Sequence, residues 1–211
     1  MTAPGSQPTS APYTVCVFCS ASEDIDARYL LLADQVGTAI ARQGWSLVTG
    51  GGSISSMGAI ARAVRREGGR TVGVIPAALA ETEVADRDAD ELVVTDGMRA
   101  RKAEMDRRSD AFLALPGGIG TLEELLEVWV AKSLDMHPKP VVVLDPWGDL
   151  RPLHYLVESL ARSGFVSPRA AAEVRWTDQV AQALDALTVE PELPVGFEPA
   201  SPVELLEADI D

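Results

Sequence analysis

The sequence predicts an α/β fold, a three-layer sandwich in which helices flank both faces of a mostly parallel sheet. Short runs rich in Val, Leu and Ile alternate with longer stretches of helical periodicity. Two of these runs lead into glycine-rich turns that precede helices. Strands separated by helices imply right-handed crossovers, and therefore parallel neighbours covered on both faces.

Six apolar runs are the predicted strands. They are Val15–Phe18, Ser46–Val48, Thr71–Ile75, Glu91–Thr95, Ala111–Leu115 and Val141–Leu144. The predicted helices lie at about residues 26–42, 56–67, 97–108, 121–134, 149–163 and 177–187. The first and last strands are almost wholly apolar, so we expect them at central positions of the sheet.

The length of 211 residues favours one domain, predicted here over residues 14–187. Residues 1–13 contain no charged side chain and are predicted to be a disordered N-terminal segment. Residues 188–211 contain seven carboxylates, four prolines and no Lys or Arg, which predicts an acidic C-terminal tail. A weaker alternative is that this tail recruits a partner protein.

Charge and hydropathy exclude several classes of partner. The formal net charge of −14 argues against nucleic-acid binding, because such proteins use Lys and Arg to neutralise phosphates. No segment approaches the ~20 apolar residues that cross a bilayer. The first residues lack the basic start and apolar middle of a secretion signal, so we expect a cytoplasmic protein.

The two cysteines, Cys16 and Cys19, form a CxxC pair. A redox pair of this kind usually opens a helix, whereas Cys16 falls inside a predicted strand. A zinc site would need two more ligands, and His137 and His154 are distant in sequence. We therefore interpret both cysteines as buried structural residues and predict no metal.

Two glycine-rich turns follow predicted strands, at Thr49–Ser53 and at Pro116–Thr121. Glycine allows backbone N–H groups to approach an anion, and a helix start adds partial positive charge, so both turns are candidate phosphate sites. Neither turn matches a Walker loop or GxGxxG. The expected ligand is thus a smaller phosphorylated molecule, a nucleoside monophosphate.

Glu124 has two possible roles, one structural and one catalytic. Thr121 and Glu124 have the spacing of a capping box, in which Glu124 has a structural role. The same carboxylate would also lie one turn from the phosphate site, where it can activate water or stabilise a cationic sugar. Arg99, Arg101 and Lys102 near a helix start oppose the helix dipole, which favours either an anionic ligand or a solvated face paired with nearby carboxylates.

These motifs occur together in a known family. Residues 116–124 fit PGGxGTxxE, Arg101-Lys102 fits its upstream Arg-Lys pair, and the likeness extends from about Val15 to Leu187. The chain therefore resembles the LONELY GUY (LOG) phosphoribohydrolases, which have a Rossmann-like fold. Members are often labelled lysine decarboxylases, but no lysine context for pyridoxal binding is evident in this sequence.

The resemblance implies hydrolysis of the N-glycosidic bond of an N6-substituted adenosine 5′-monophosphate, giving a cytokinin-type base and ribose 5-phosphate without a cofactor. It implies that Arg101 and Glu124 are catalytic and that the chain forms a homodimer. The residues it implies in substrate binding are Glu83, Lys102, Gly51, Gly52, Gly117, Gly118, Ile119, Gly120 and Thr121.

The chain departs from the family pattern at Ser20, Ser55 and Val130, all around the expected nucleotide pocket. These departures leave the preferred base open, so plain AMP hydrolysis is a further possibility. The main alternative is a non-catalytic Rossmann-like protein that binds a nucleotide or a cofactor. Release of free base from a nucleoside monophosphate distinguishes the two.

Overall fold

The computed structural model describes residues 12–80 and 85–188. In these residues seven strands form one sheet, flanked by eight helices. The strands are β1 (Thr14–Phe18), β2 (Ser46–Thr49), β3 (Thr71–Pro76), β4 (Glu91–Thr95), β5 (Ala111–Ala114), β6 (Val141–Leu144) and β7 (Val174–Thr177). The helices are α1 (Ala27–Arg42), α2 (Ser55–Arg66), α3 (Ala77–Ala80), α4 (Met98–Arg107), α5 (Ile119–Ser133), α6 (Arg151–Arg162), α7 (Pro168–Ala172) and α8 (Val180–Thr188).

The strand order is β4-β3-β2-β1-β5-β6-β7, and every pairing between these strands is parallel. The chain runs outward from β1 to β4 and then returns to place β5 on the other side of β1. The carboxyl ends of β1 and β5 therefore flank the topological switch point, where open α/β sheets bind ligands. Phe18 pairs with Ala114 at this position.

Two apolar cores lie on opposite faces of the sheet. One contains buried residues of α1, α2 and α8, among them Val36, Ile60 and Leu187. The other contains buried residues of α4 and α5, including Met105 and Leu125. Alternate residues of the central strands supply both cores, since Val17 contributes to the first and Cys16 to the second. This is the three-layer arrangement expected from the sequence.

All six predicted strands and all six predicted helices are present, and no end is shifted by more than three residues. β1 lies at the centre of the sheet, as expected, whereas β6 is one strand from the edge, where β7 covers it. The prediction missed β7, α3 and α7, which have four or five residues each. Such short elements depend on tertiary contacts, as β7 does on pairing with β6.

The predicted segments at the two ends lie almost wholly outside the described residues, which include Pro12, Tyr13 and Thr188. Among the helices of residues 12–80 and 85–188, none is long and apolar enough to cross a membrane. Cys16 and Cys19 are both buried free thiols, in agreement with a structural role. Burial raises the pKa of both thiols, which keeps them protonated and unreactive.

The close packing of α1 on α2 depends on Gly37. A Cβ atom added at Gly37 would lie 2.5 Å from the carbonyl oxygen of Ile60 and 2.9 Å from the Cβ of Ala63. We expect Gly37→Val to lower the free energy of unfolding by about 2–3 kcal/mol, as overpacking of a core does. Urea denaturation checks this, with Gly97→Ala as control, because nothing lies within 4 Å of a Cβ there. Equal stability of the two variants would contradict the described packing.

Candidate functional site

A hollow of about 260 Å³ lies at the carboxyl edge of the sheet, over the switch point. It is bordered by the chain that leaves β1, by the turn after β2 and by the first turns of α4 and α5. Its lining includes Cys19, Ser20, Ala21, Ser22, Gly50, Met57, Leu79, Met98, Arg101, Gly118, Gly120, Thr121, Glu123 and Glu124. The turns after β2 and β5, which the sequence indicates as candidate phosphate sites, both contribute residues to this hollow.

Arg101 and Glu124 form a buried ion pair in the wall of this hollow. Arg101 Nη1 donates to Glu124 Oε1 at 2.7 Å, and the two side chains are only 8% and 9% exposed. Arg101 comes from the first turn of α4 and Glu124 from the second turn of α5. The pair therefore joins two helices whose N-termini both lie at the ligand edge.

The guanidinium of Arg101 has little freedom to move. Its Nε donates to the carbonyl oxygen of Val74 at 3.0 Å. It also lies directly against Gly50, where an added Cβ would be 1.9 Å from Nη2. Any side chain at position 50 would displace the guanidinium, which explains why the turn after β2 requires glycine there.

Burial raises the pKa of the Glu124 carboxyl, and the charge and hydrogen bond of Arg101 oppose this shift. The effect of burial is larger than that of Arg101, so the pKa is raised. A carboxyl whose pKa is raised towards neutrality is suited to exchange protons with a reacting group. The arrangement thus provides an acid–base group and a fixed cation within 3 Å of each other.

The capping-box interpretation of Glu124 is wrong. Helix α5 begins at Ile119 with Gly118 as its N-cap, and no side chain caps it. Thr121 is the third residue of the helix, so Glu124 lies too far along to reach back to the cap. Its carboxylate instead turns inward to Arg101. The helix begins at Ile119, directly after Gly117 and Gly118, two residues earlier than predicted.

The Pro116–Thr121 turn contributes Gly118, Gly120 and Thr121 to the lining of the hollow. The first N–H groups of a helix lack partners within the helix and carry partial positive charge. Gly117 fits closely against Thr121, whose Oγ1 would be 2.2 Å from an added Cβ. The side chain of Ile119 is 87% exposed, so its part in binding would come from its backbone.

The structure brings together some of the predicted site residues and not others. Arg101, Glu124, Gly118, Gly120 and Thr121 line the hollow. Gly117 and Ile119 belong to the same turn, whereas Gly51 and Gly52 are buried behind the hollow rather than on its wall. Glu83 lies outside the described residues.

Lys102 points away from this hollow. Its ammonium forms ion pairs with Glu123 and Glu127 of α5. It lines a neighbouring groove of about 480 Å³ between α4 and α5, which Glu124 also borders. The three cations at the start of α4 are thus partly compensated within the protein, Arg101 by Glu124 and Lys102 by two carboxylates.

Sequence reasoning missed several residues of the hollow. Ser20 was noted only as a departure from a pattern, and Ser22, Met57, Leu79 and Met98 were not noted at all. Ser20 and Ser22 follow β1 directly, so the switch-point rule applied to β1 would have found them. Met57 and Met98 lie near helix starts that the sequence predicts, and Leu79 lies in α3, which it does not predict. An apolar side chain at such a position gives no sequence signal of a ligand site.

The fold and the hollow at its switch point define a Rossmann-like α/β protein with a candidate ligand site beside the start of α5. A family model described as "Possible lysine decarboxylase" matches residues 57–187. The chain is 51% identical over 174 residues to the cytokinin riboside 5′-monophosphate phosphoribohydrolase of Mycobacterium tuberculosis, covering 82% of this chain and 92% of that protein. The chain belongs to the LOG family of phosphoribohydrolases.

Other relatives agree. The enzyme of the same name from Mycobacterium marinum is 49% identical over 88% of this chain and 98% of its own length. LOG1 of Arabidopsis thaliana is 42% identical over an alignment that covers 74% of this chain and 73% of that protein. Among solved structures, the molybdenum cofactor carrier protein of Chlamydomonas reinhardtii has a TM-score of 0.63 and 28% identity, covering 83% of this chain and 96% of that one. The predicted family and fold are confirmed.

We expect Arg101→Met to lower the free energy of unfolding by about 3–5 kcal/mol, because it leaves the Glu124 carboxylate buried without a partner. Arg66→Met is the control, since it removes an ion pair with Asp34 whose side chains are about half exposed. That loss should stay below about 1 kcal/mol. Urea denaturation at pH 7 measures both, and equal losses would show that burial of the Arg101–Glu124 pair is not important for stability.

Proposed function

We propose that this chain hydrolyses the N-glycosidic bond of N6-substituted adenosine 5′-monophosphates, releasing the free base and ribose 5-phosphate. The relatives at 51% and 49% identity are named as cytokinin riboside 5′-monophosphate phosphoribohydrolases and align over almost their whole length. The observation that carries the proposal in this chain is the Arg101–Glu124 pair in the wall of the hollow, beside the N-terminus of α5.

The 5′-phosphate would bind at the start of α5. The N–H groups of Gly118 to Thr121 lie at the positive end of the helix dipole, which favours a phosphate there. The space beside this turn is open, since nothing lies within 4 Å of a Cβ added at Gly118 or Gly120. The ribose of a nucleotide bound in this way would lie near Glu124, one turn further along the helix.

Glu124 and Arg101 have distinct roles in the proposed reaction. Cleavage of the bond between the base and C1′ leaves positive charge on the ribose and negative charge on the departing purine. The Glu124 carboxylate stabilises the cationic ribose and takes a proton from the attacking water. Arg101, held by Val74 and Glu124, stabilises the anionic purine. No part of this sequence of steps requires a cofactor.

The alternative is a binding protein without turnover. The likeness to the molybdenum cofactor carrier protein of C. reinhardtii makes this a specific second candidate, because a carrier can share the fold and the anion site. A carrier has no need for a carboxyl with a raised pKa next to a fixed guanidinium, which favours the hydrolase.

We also propose a cytoplasmic homodimer. Helix α5 and its C-cap expose four apolar side chains at intervals of seven, four and four residues, which place them on one side of the helix: Ile119, Leu126, Val130 and Leu134. A contiguous exposed apolar stripe is typical of a protein–protein interface. One copy of α5 packed against another about a two-fold axis would cover it on both chains.

We expect Glu124→Gln to lower the rate of base release at least about 100-fold, because glutamine cannot accept the proton of water. The assay incubates purified protein with AMP or with isopentenyladenosine monophosphate and measures free base. Binding of the nucleotide, measured by calorimetry, should change little, since the phosphate site remains.

Glu173→Gln is the matched control. Glu173 is another buried carboxylate with a basic partner, Lys132 at 3.6 Å, but it lies away from the hollow. Its substitution should leave the rate within about threefold of wild type. Full turnover in Glu124→Gln would contradict the catalytic role, and no base release by wild type from either nucleotide would favour the binding protein.

The raised pKa of Glu124 predicts the pH dependence of turnover. Glu124 must be ionised to accept a proton, so kcat/KM, which reports ionisation of the free enzyme, should fall as pH decreases through its pKa. Because burial raises that pKa, the acidic limb should lie above the ordinary glutamate value of 4.5. The residual activity of Glu124→Gln should not decrease at acidic pH in this way, because glutamine does not titrate. A wild-type limb at or below pH 4.5 would show that Glu124 is not the titrating group.

A further inference from the structure

Residues 85–86 contact the turn after β2 through backbone hydrogen bonds. No predicted site includes these two residues. Residues Gly50 to Gly52 form this turn, and Gly51 has a positive φ of 79°. The backbone N–H of Asp86 donates to the carbonyl oxygen of Gly51 at 2.8 Å. Ala85 forms an isolated antiparallel bridge with Gly52. The segment at residues 85–86 thus pairs with two residues of the turn.

The carboxylate of Asp86 is fixed in turn by α2. Arg65, in the last turn of α2, donates to both carboxylate oxygens of Asp86, at 2.8 and 3.1 Å. Asp86 is 4% exposed, so this bidentate contact is shielded from water. A carboxylate buried in this way keeps a defined position only while its partner is present.

The same turn forms part of the hollow. Gly50 lines it and lies against the guanidinium of Arg101, and the N–H of Gly52 donates to the sulfur of Met57, which also lines the hollow. A displacement of Gly51 and Gly52 would therefore move two parts of the wall. Arg101 itself would be less affected, because Val74 and Glu124 hold it independently.

We propose that Arg65 and Asp86 are a positioning pair for substrate binding, which keeps the turn at Gly50–Gly52 in the shape that receives the nucleotide. The proposal rests on the function proposed above. Neither residue lines the hollow, so both act through the backbone of the turn. Loss of the pair should weaken nucleotide binding more than it slows the chemical step.

The test compares Asp86→Asn with Asp34→Asn. Asp34 also receives a bidentate contact from an arginine of α2, Arg66, at 2.8 and 3.0 Å, but this pair is on the surface and does not touch the turn. Steady-state kinetics should give a KM about tenfold higher for Asp86→Asn, with kcat within about twofold of wild type. Asp34→Asn should match wild type in both constants.

Arg65→Lys provides a second variant in case Asp86→Asn fails to fold. Lysine keeps the positive charge but cannot make the bidentate contact, so KM should rise by less, about threefold. An unchanged KM in a folded Asp86→Asn protein, or equal decreases in kcat for both Asp86→Asn and Asp34→Asn, would overturn the proposal. A lower melting temperature alone would show a purely structural pair.

The failure of this proposal can be distinguished from failure of the hydrolase function. If the wild type releases no base, calorimetry with AMP replaces kinetics, and the dissociation constant of Asp86→Asn should still be about tenfold higher than that of wild type. Equal dissociation constants would overturn the positioning role whether or not the chain is a hydrolase.

Discussion

The buried ion pair between Arg101 and Glu124 is the interaction on which the rest of the site depends. Two charges removed from water are favourable only if each has a partner with good geometry, and here the pair is completed by the carbonyl oxygen of Val74. The pair connects α4, which follows β4 at one edge of the sheet, with α5, which follows β5 on the other side of β1. It therefore fixes the relative position of the two helix starts that border the hollow.

Two glycines of the site lie where the backbone passes directly against a side chain. At Gly50 a side chain would collide with the guanidinium, and at Gly117 it would collide with Thr121. Glycine at 50 therefore allows the charged pair to remain in place, and glycine at 117 allows Thr121 to pack against the turn. The proposed function extends this arrangement to a nucleotide whose phosphate lies at α5 and whose ribose faces Glu124.

Much of the fold followed from sequence pattern, because long strands and helices carry a clear apolar periodicity. The PGGxGTxxE motif indicated Glu124 and its upstream Arg-Lys pair indicated Arg101, and the structure shows the two side chains in contact. Sequence reasoning did not find that α5 starts at Ile119, that Lys102 pairs with Glu123 and Glu127, or that Asp86 supports the turn after β2. The two ion-pair and turn contacts join residues far apart in the chain, and a local pattern contains no information on such contacts. The start of α5 is a local feature, which the capping-box spacing of Thr121 and Glu124 led the prediction to place two residues too late.

A crystal structure of the Glu124→Gln protein with bound AMP tests the central claim most directly. The account predicts a phosphate within hydrogen-bonding distance of the backbone N–H groups at Gly118–Thr121, with C1′ of the ribose facing position 124 and the purine within reach of Arg101. A nucleotide bound elsewhere, such as the groove between α1 and α8, or bound with its ribose directed away from position 124, would contradict it.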